Sequence, residues 1–169
     1  YKPEATEKLK IKGEGYHELE PNSTFTLMTW NIGYAALGDN ADYYKDGGEM
    51  VMTADRNRLN KNIKSIQSRI NEIKPSIFLM QEIDMYSKRA NHVNELSNMA
   101  NNFLAYNYSY ARNIKALYIP YPLPMLGNVD SGIATFSKYK VESAERISLP
   151  GSYIWPKSMA NYKRCLLVT

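Results

Sequence analysis

Ile77-Phe78-Leu79-Met80-Gln81-Glu82 is an unbroken apolar run that stops on two polar residues, and Phe25-Thr26-Leu27-Met28-Thr29-Trp30-Asn31 upstream ends in a similar way. The first run has the composition of a strand covered on both faces. The second is rich in β-forming residues and also reads as a strand. Between them Leu59, Ile63, Ile66, Ile70 and Ile73 alternate spacings of four and three, which is the apolar stripe of a helix. Thr53 is the expected N-cap and Pro75 the stop. A strand–helix–strand unit crosses over right-handedly and makes its two strands parallel. Asn31 and Glu82 then end neighbouring strands on one sheet edge, the edge where open α/β sheets place ligands. An amide oxygen and a carboxylate are hard donors that suit Mg²⁺ or Mn²⁺. Taken singly, Asn31 reads rather as a turn cap and Glu82 as an exposed strand-end acid; taken with their flanking sequence, they do not.

The pattern continues on both sides. Residues 1–24 are charged, lack sustained periodicity and contain Gly13, Gly15 and Pro21, so they read as a leader or linker before a domain spanning residues 25–169. A polar loop from Gly38 to Met52 carries Asp46-Gly47-Gly48, and loops of that length in compact domains are usually functional or disordered. Val93, Leu96, Met99 and Phe103 mark a second helix, and Tyr106, Tyr108 and Tyr110 alternate as in a strand. A Pro-rich loop covers Tyr118 to Leu126, and further strands are expected at Gly132–Phe136, Val141–Leu149 and Arg164–Thr169. No repeat or internal boundary interrupts the series.

The 169 residues fit one domain, and 44% hydrophobic residues make it globular. The net charge of +4 favours a polyanionic partner weakly, because the cations are scattered and Lys61, Lys64 and Arg69 lie on a solvated helix face. The 14 tyrosines suit half-wet surfaces such as cleft walls, with strand and rim packing as the plainer reading. A single cysteine, Cys165, excludes an internal disulfide and argues against a cysteine-ligated zinc site. It sits in an apolar run and reads as a buried core thiol. His17 and His92 read as ordinary surface histidines. No apolar stretch reaches the length of a membrane span and no signal peptide is recognisable; since the chain opens on Tyr1, an upstream segment is expected.

Thr29-Trp30-Asn31-Ile32-Gly33 and Leu79-Met80-Gln81-Glu82-Ile83-Asp84 resemble the first two motifs of the endonuclease/exonuclease/phosphatase superfamily. Ser131-Gly132-Ile133-Ala134-Thr135-Phe136-Ser137-Lys138-Tyr139 is similar to its third, and Lys163-Arg164-Cys165-Leu166-Leu167-Val168 to the strand that begins with a substrate-facing arginine. Four such matches in order are more specific than any one. Gly33-Tyr34, Asp46-Gly47-Gly48 and Asp84 to Arg89 further resemble a bacterial subgroup whose precursors often begin with a hydrophobic anchor.

The resemblance implies an α/β fold, the N-terminal part of a four-layer α/β/β/α sandwich like deoxyribonuclease I, with the C-terminal portion outside these residues. It implies a hydrolase of phosphate esters dependent on Mg²⁺ or Mn²⁺, with phosphodiesters favoured over monoesters and water attacking in line at phosphorus. Glu82 would be the main metal ligand, and Asn31 would touch the metal or orient the water. Arg164 would face the scissile phosphate, and Gln81 and Asp84 would support the donors from behind. The substrate rim would include Asp46, Lys88, Arg89 and Asn128. Substrates left open are a lipid head group, a small phosphodiester or nucleic acid. No obligate protein partner is evident, and the expected setting is outside the cytoplasm, anchored by the upstream segment, with a cytoplasmic one as the alternative. Where nuclease members often carry a tyrosine, this chain has Asp130, an acid ill-suited to a phosphate chain, which lowers the expectation of DNA. The family's base histidine and its acidic partners have no counterpart before Thr169, so these residues alone are expected to be inactive. The competing readings are a non-catalytic phosphate-ligand-binding domain that keeps the fold and a purely structural α/β domain. The second leaves the Asp46-Gly47-Gly48 loop without a purpose.

Overall fold

The computed structural model describes residues 1–151, 153–155, 158 and 160–169. Among them the chain order is β1 (Thr6–Lys8), β2 (Lys12–Gly13), β3 (Leu27–Asn31), α1 (Arg56–Ile73), β4 (Ile77–Asp84), α2 (Glu95–Asn102), β5 (Asn107–Ile119), β6 (Gly127–Ser137), β7 (Glu145–Ser148) and β8 (Cys165–Val168). Short 3₁₀ turns occupy Gly33–Ala35, Tyr44–Asp46 and Lys88–Ala90. The strands form a five-stranded sheet in the order β2-β5-β6-β4-β3 and a three-stranded sheet in the order β1-β7-β8. This is a mixed α/β fold with two sheets, as a partial deoxyribonuclease I-like domain requires. Among the described residues no helix is long and apolar enough to cross a membrane.

The strand–helix–strand unit forms with β3 and β4 parallel and Asn31 opposite Gln81. The stripe of α1 buries Leu59, Ile63, Ile66 and Ile70 against Phe78, Met80, Ala134 and Phe136, with Met28 and Trp30 of β3 at the margin. Burying side chains of this size contributes about 1.5–3 kcal/mol each, which makes this face the main source of stability around the site. Ile73, the last residue of the stripe, is 40% exposed, since the helix ends there with Lys74 in the left-handed region and Pro75 following. The N-cap is Asp55, whose carboxylate accepts from the Arg58 N–H at 2.7 Å, and not Thr53. Thr53 is buried and its hydroxyl donates to the Ala36 carbonyl at 2.6 Å, tying the loop back to the turn after β3.

Residues 1–24, expected as a leader, are drawn into both sheets: β1 pairs with β7 and β2 with β5. Strands of two and three residues carry no periodicity of their own and are held by partners far along the chain. The tyrosine strand β5 is longer than its alternation indicates and runs on to Ile119 beside β6. Cys165 is buried, as expected, with its thiol donating to Asn113 Oδ1 at 3.0 Å.

Candidate metal and phosphate site

The alternation of β4 breaks where the chemistry lies. Phe78 and Met80 point into the core, so residue 82 is next in that series. Pairing with β6 shifts between Gln81 and Ile83, opposite Ile133 and Gly132. The extra residue of this bulge is Glu82, with φ 55 in the left-handed region. Ile83 takes the core place, fully buried, and Glu82 swings out. β4 therefore does not stop at Glu82, as the sequence indicates, but continues to Asp84. Bulges recur beside functional sites because they re-aim a side chain in this way. Gly132 sits opposite the bulge; a Cβ there would collide with the Ala111 carbonyl oxygen.

Asn31 and Glu82 line one cleft of about 420 Å³, together with Asn62 and Ser65 of α1 and the Gly33 turn. The Asn31 Oδ1 accepts from the Gly33 N–H at 3.0 Å, which fixes its side chain. Gln81 donates to Thr29 Oγ1 at 3.0 Å, and its carbonyl accepts from the Ile32 N–H at 3.1 Å. Glu82 has no hydrogen-bond or ion-pair partner among the described residues. A half-buried carboxylate without a partner, held on strained backbone beside an amide oxygen, fits a hard divalent ion. Mg²⁺ takes few protein ligands and keeps several waters. Among the described residues no group of three or more His, Cys, Asp or Glu comes together.

Behind this edge lies a buried polar cluster. Arg89 grips Asp84 with two bonds of 2.9 Å, and both side chains are shielded from solvent. The Glu95 carboxylate accepts from the Asp84 N–H at 2.8 Å. The guanidinium lies 3.2 Å from the centre of the Tyr34 ring and donates to the Tyr162 hydroxyl at 3.3 Å. The hydroxyls of Tyr34 and Tyr162 are 3.1 Å apart. Burial pushes the Tyr34 phenol far above its ordinary value; Arg89 opposes this, and the Glu82 carboxylate is near enough to add to the rise. Burial also works against the charge on Arg89, but Asp84 overrides it and the guanidinium holds its proton more tightly than usual. One arginine thus pins the turn after Asn31 to the strand that carries Glu82.

Arg89 is therefore not an exposed rim residue, as expected, but a buried cation (2% exposed) whose partner is Asp84. Asp84, expected as support, braces the site through that pair. Lys88 and Asn128 are tied to backbone, Lys88 Nζ to the Met125 carbonyl at 3.0 Å and Asn128 Nδ2 to the Tyr86 carbonyl at 2.6 Å. Asp46 is exposed on its turn. Arg164 is exposed, precedes β8 in the smaller sheet, and lines a different cavity from Asn31 and Glu82. Asp130 is not a free acid facing a phosphate: Arg112 neutralises it at 2.6 and 3.1 Å. Tyr34, Tyr162 and Glu95 were missed as site residues; nothing in spacing links them, and only the Gly33-Tyr34 extension offered a hint.

The two-sheet architecture with oxygen donors at the ends of parallel strands is that of a deoxyribonuclease I-like hydrolase fold. The model of the Endonuclease/Exonuclease/phosphatase family matches residues 28–157, and the chain belongs to that family. Its members hydrolyse phosphoester bonds with metal ions. No curated protein and no solved structure matches the chain.

Proposed function

We propose that this chain carries the metal-binding edge of a divalent-metal-dependent phosphodiesterase. The observation that carries the reading is Glu82, an unpartnered carboxylate held out of the core by a strained bulge and sharing a cleft with Asn31. These two residues would hold the ion, which when bound supplies electrostatic stabilisation of charge at a phosphoryl oxygen. The Asn31 oxygen keeps a second lone pair beyond its bond to Gly33, and its amide nitrogen has protons for a water or phosphate oxygen. Gln81 and the Asp84–Arg89 pair keep the donors in register.

Manganese titration followed by water proton relaxation tests the metal half of this reading. The wild-type chain is expected to bind Mn²⁺ weakly and Glu82→Gln to lose that binding. In the full-length protein the same substitution is expected to abolish Mg²⁺-dependent hydrolysis of bis(p-nitrophenyl) phosphate. Undiminished turnover in Glu82→Gln would rule the assignment out. Phosphate binding without turnover in the full-length wild type would favour the binding-domain alternative.

A further inference from the structure

The turn after β3 runs through three successive residues in the left-handed region, Gly33, Tyr34 and Ala35, with φ 54, 55 and 48. Glycine takes this backbone freely, but a tyrosine and an alanine there are strained. Strained backbone of this kind persists only where its surroundings over-determine it. The turn matters to the site because its first N–H, on Gly33, donates to Asn31 Oδ1 at 3.0 Å and sets the direction of that amide. Whatever holds the turn therefore holds Asn31.

Side chains from other elements do so. The Arg89 guanidinium lies over the Tyr34 ring, and the Thr53 hydroxyl donates to the Ala36 carbonyl. A further tie comes from α1, where Asn62 Nδ2 donates to the Ala35 carbonyl at 2.8 Å. Ala35 is buried, and a buried carbonyl that loses its donor is costly. Asparagine is a poor helix former by propensity, yet Asn62 sits inside α1 beside the apolar stripe, three residues after Leu59 and four before Ile66. What it reaches explains its place. Asn62 also lines the cleft that Asn31 and Glu82 share.

We propose that Asn62 is a positioning residue of the metal edge: through the Ala35 carbonyl it keeps the left-handed turn closed, and the closed turn keeps the Asn31 amide oriented beside Glu82. What Asn31 does there rests on the phosphodiesterase reading; how it is held does not.

Amide hydrogen exchange followed by NMR on the chain without metal reads the turn at the Gly33 N–H. Asn62→Ala is expected to speed exchange at Gly33 roughly three- to tenfold, the size of one net hydrogen bond. Exchange within α1 is expected to stay as in wild type, since alanine is the better helix former. Gln67→Ala is the control: it removes the same kind of bond from the same helix, to the Asn98 carbonyl at 3.0 Å and away from the turn, and is expected to leave Gly33 unchanged. Mn²⁺ titration by water proton relaxation carries the effect to the site. The apparent Kd rises as the fraction of chains holding the turn falls, so Asn62→Ala is expected to bind Mn²⁺ about threefold more weakly or worse, and Gln67→Ala as wild type. A wild-type chain that binds no Mn²⁺ would sink the metal reading alone, because the Gly33 result is obtained without metal. Unchanged exchange at Gly33 in Asn62→Ala, exchange that speeds throughout α1 as much as at Gly33, or equal effects of Asn62→Ala and Gln67→Ala on Mn²⁺ binding would overturn the proposal.

Discussion

Glu82 carries a conflict between pattern and chemistry. Strict alternation would bury its carboxylate beside Phe78 and Met80, where a charge without a partner costs several kcal/mol, on the order of the effective penalty per ion in real proteins. The bulge removes that penalty, and the left-handed backbone it imposes costs an L-residue about 1–2 kcal/mol. Glycine adopts φ 55 without that strain, though it loses roughly 0.5–1 kcal/mol through the flexibility of the unfolded chain. Glu82→Gly is therefore expected to hold stability or raise it by up to about 1 kcal/mol in urea unfolding, while Mn²⁺ binding disappears. A clear drop in the midpoint would show that the carboxylate itself stabilises the fold. Glu95 shows a related strain in its titration. Burial drives its carboxyl well above its ordinary 4.5, and the Asp84 charge pushes the same way. Above 4.5 the unfolded chain has released a proton that the native chain keeps, so this contribution is full below 4.5 and falls as pH rises towards the raised native value. Glu95→Gln keeps an oxygen for the Asp84 N–H and removes the titration. Its stability advantage over wild type is expected to widen as pH rises above about 4.5; a constant gap would show that Glu95 releases its proton over the same range in the native and the unfolded chain.

The elements around the site depend on the Arg89 pin. It joins the turn at Lys88–Ala90, the turn at Gly33–Ala35 and β4 through Asp84, Tyr34 and Tyr162. Arg89→Met leaves Asp84 charged and alone in the core, which is expected to cost about 3–5 kcal/mol. Adding Asp84→Asn is expected to recover part of that loss, and the double variant is expected to bind Mn²⁺ less well than wild type, because the turn that fixes Asn31 is freed. A double variant as unstable as Arg89→Met alone would mean that ring packing, and not the ion pair, holds the turn. This pin was not legible in the sequence. Lys88-Arg89 in a polar stretch looks solvent-facing, and Asp84 lies five residues away, a spacing that neither helix nor strand periodicity connects. Glu95, in the first turn of α2, looks like an ordinary helix-start acid. By contrast α1 was legible from its stripe, and the parallel β3–β4 pair followed from it, because burial of one face dictates both. The motif around Glu82 named the residue but not its bulge, although Ile83 falling out of phase with Phe78 and Met80 was the available sign.

Among the described residues, Asn31 and Glu82 are the donors offered to the proposed metal, and the proposed hydrolysis asks for more than these two. Phosphate-ester hydrolysis asks an enzyme to remove roughly 20 kcal/mol or more of barrier, and a group that takes a proton from water supplies part of it. Glu82 is the one carboxylate among the described residues lining the cleft, and the donor on which the proposed ion would depend. His92 is exposed against Tyr86, with ring centres 4.6 Å apart, and His17 sits beside Tyr139, so neither lines the cleft. Tyr34 adjoins Glu82, but its raised pKa keeps the phenol protonated, so it accepts no proton near neutral pH. Tyr43 is raised for the same reason, burial. With no proton acceptor lining the cleft among the described residues, residues 1–169 by themselves are expected to give no Mg²⁺-dependent turnover of bis(p-nitrophenyl) phosphate above buffer, while still binding Mn²⁺ through Glu82. The two readouts separate a misfolded chain from an incomplete site, since a misfolded one would bind no Mn²⁺. Turnover that appears in this chain, vanishes with a chelator and vanishes again in Glu82→Gln would place a proton acceptor within these residues. Such an acceptor would have to reach the cleft in a conformation other than the one described, and His92, one turn from the Arg89 pin, would be the first residue to replace.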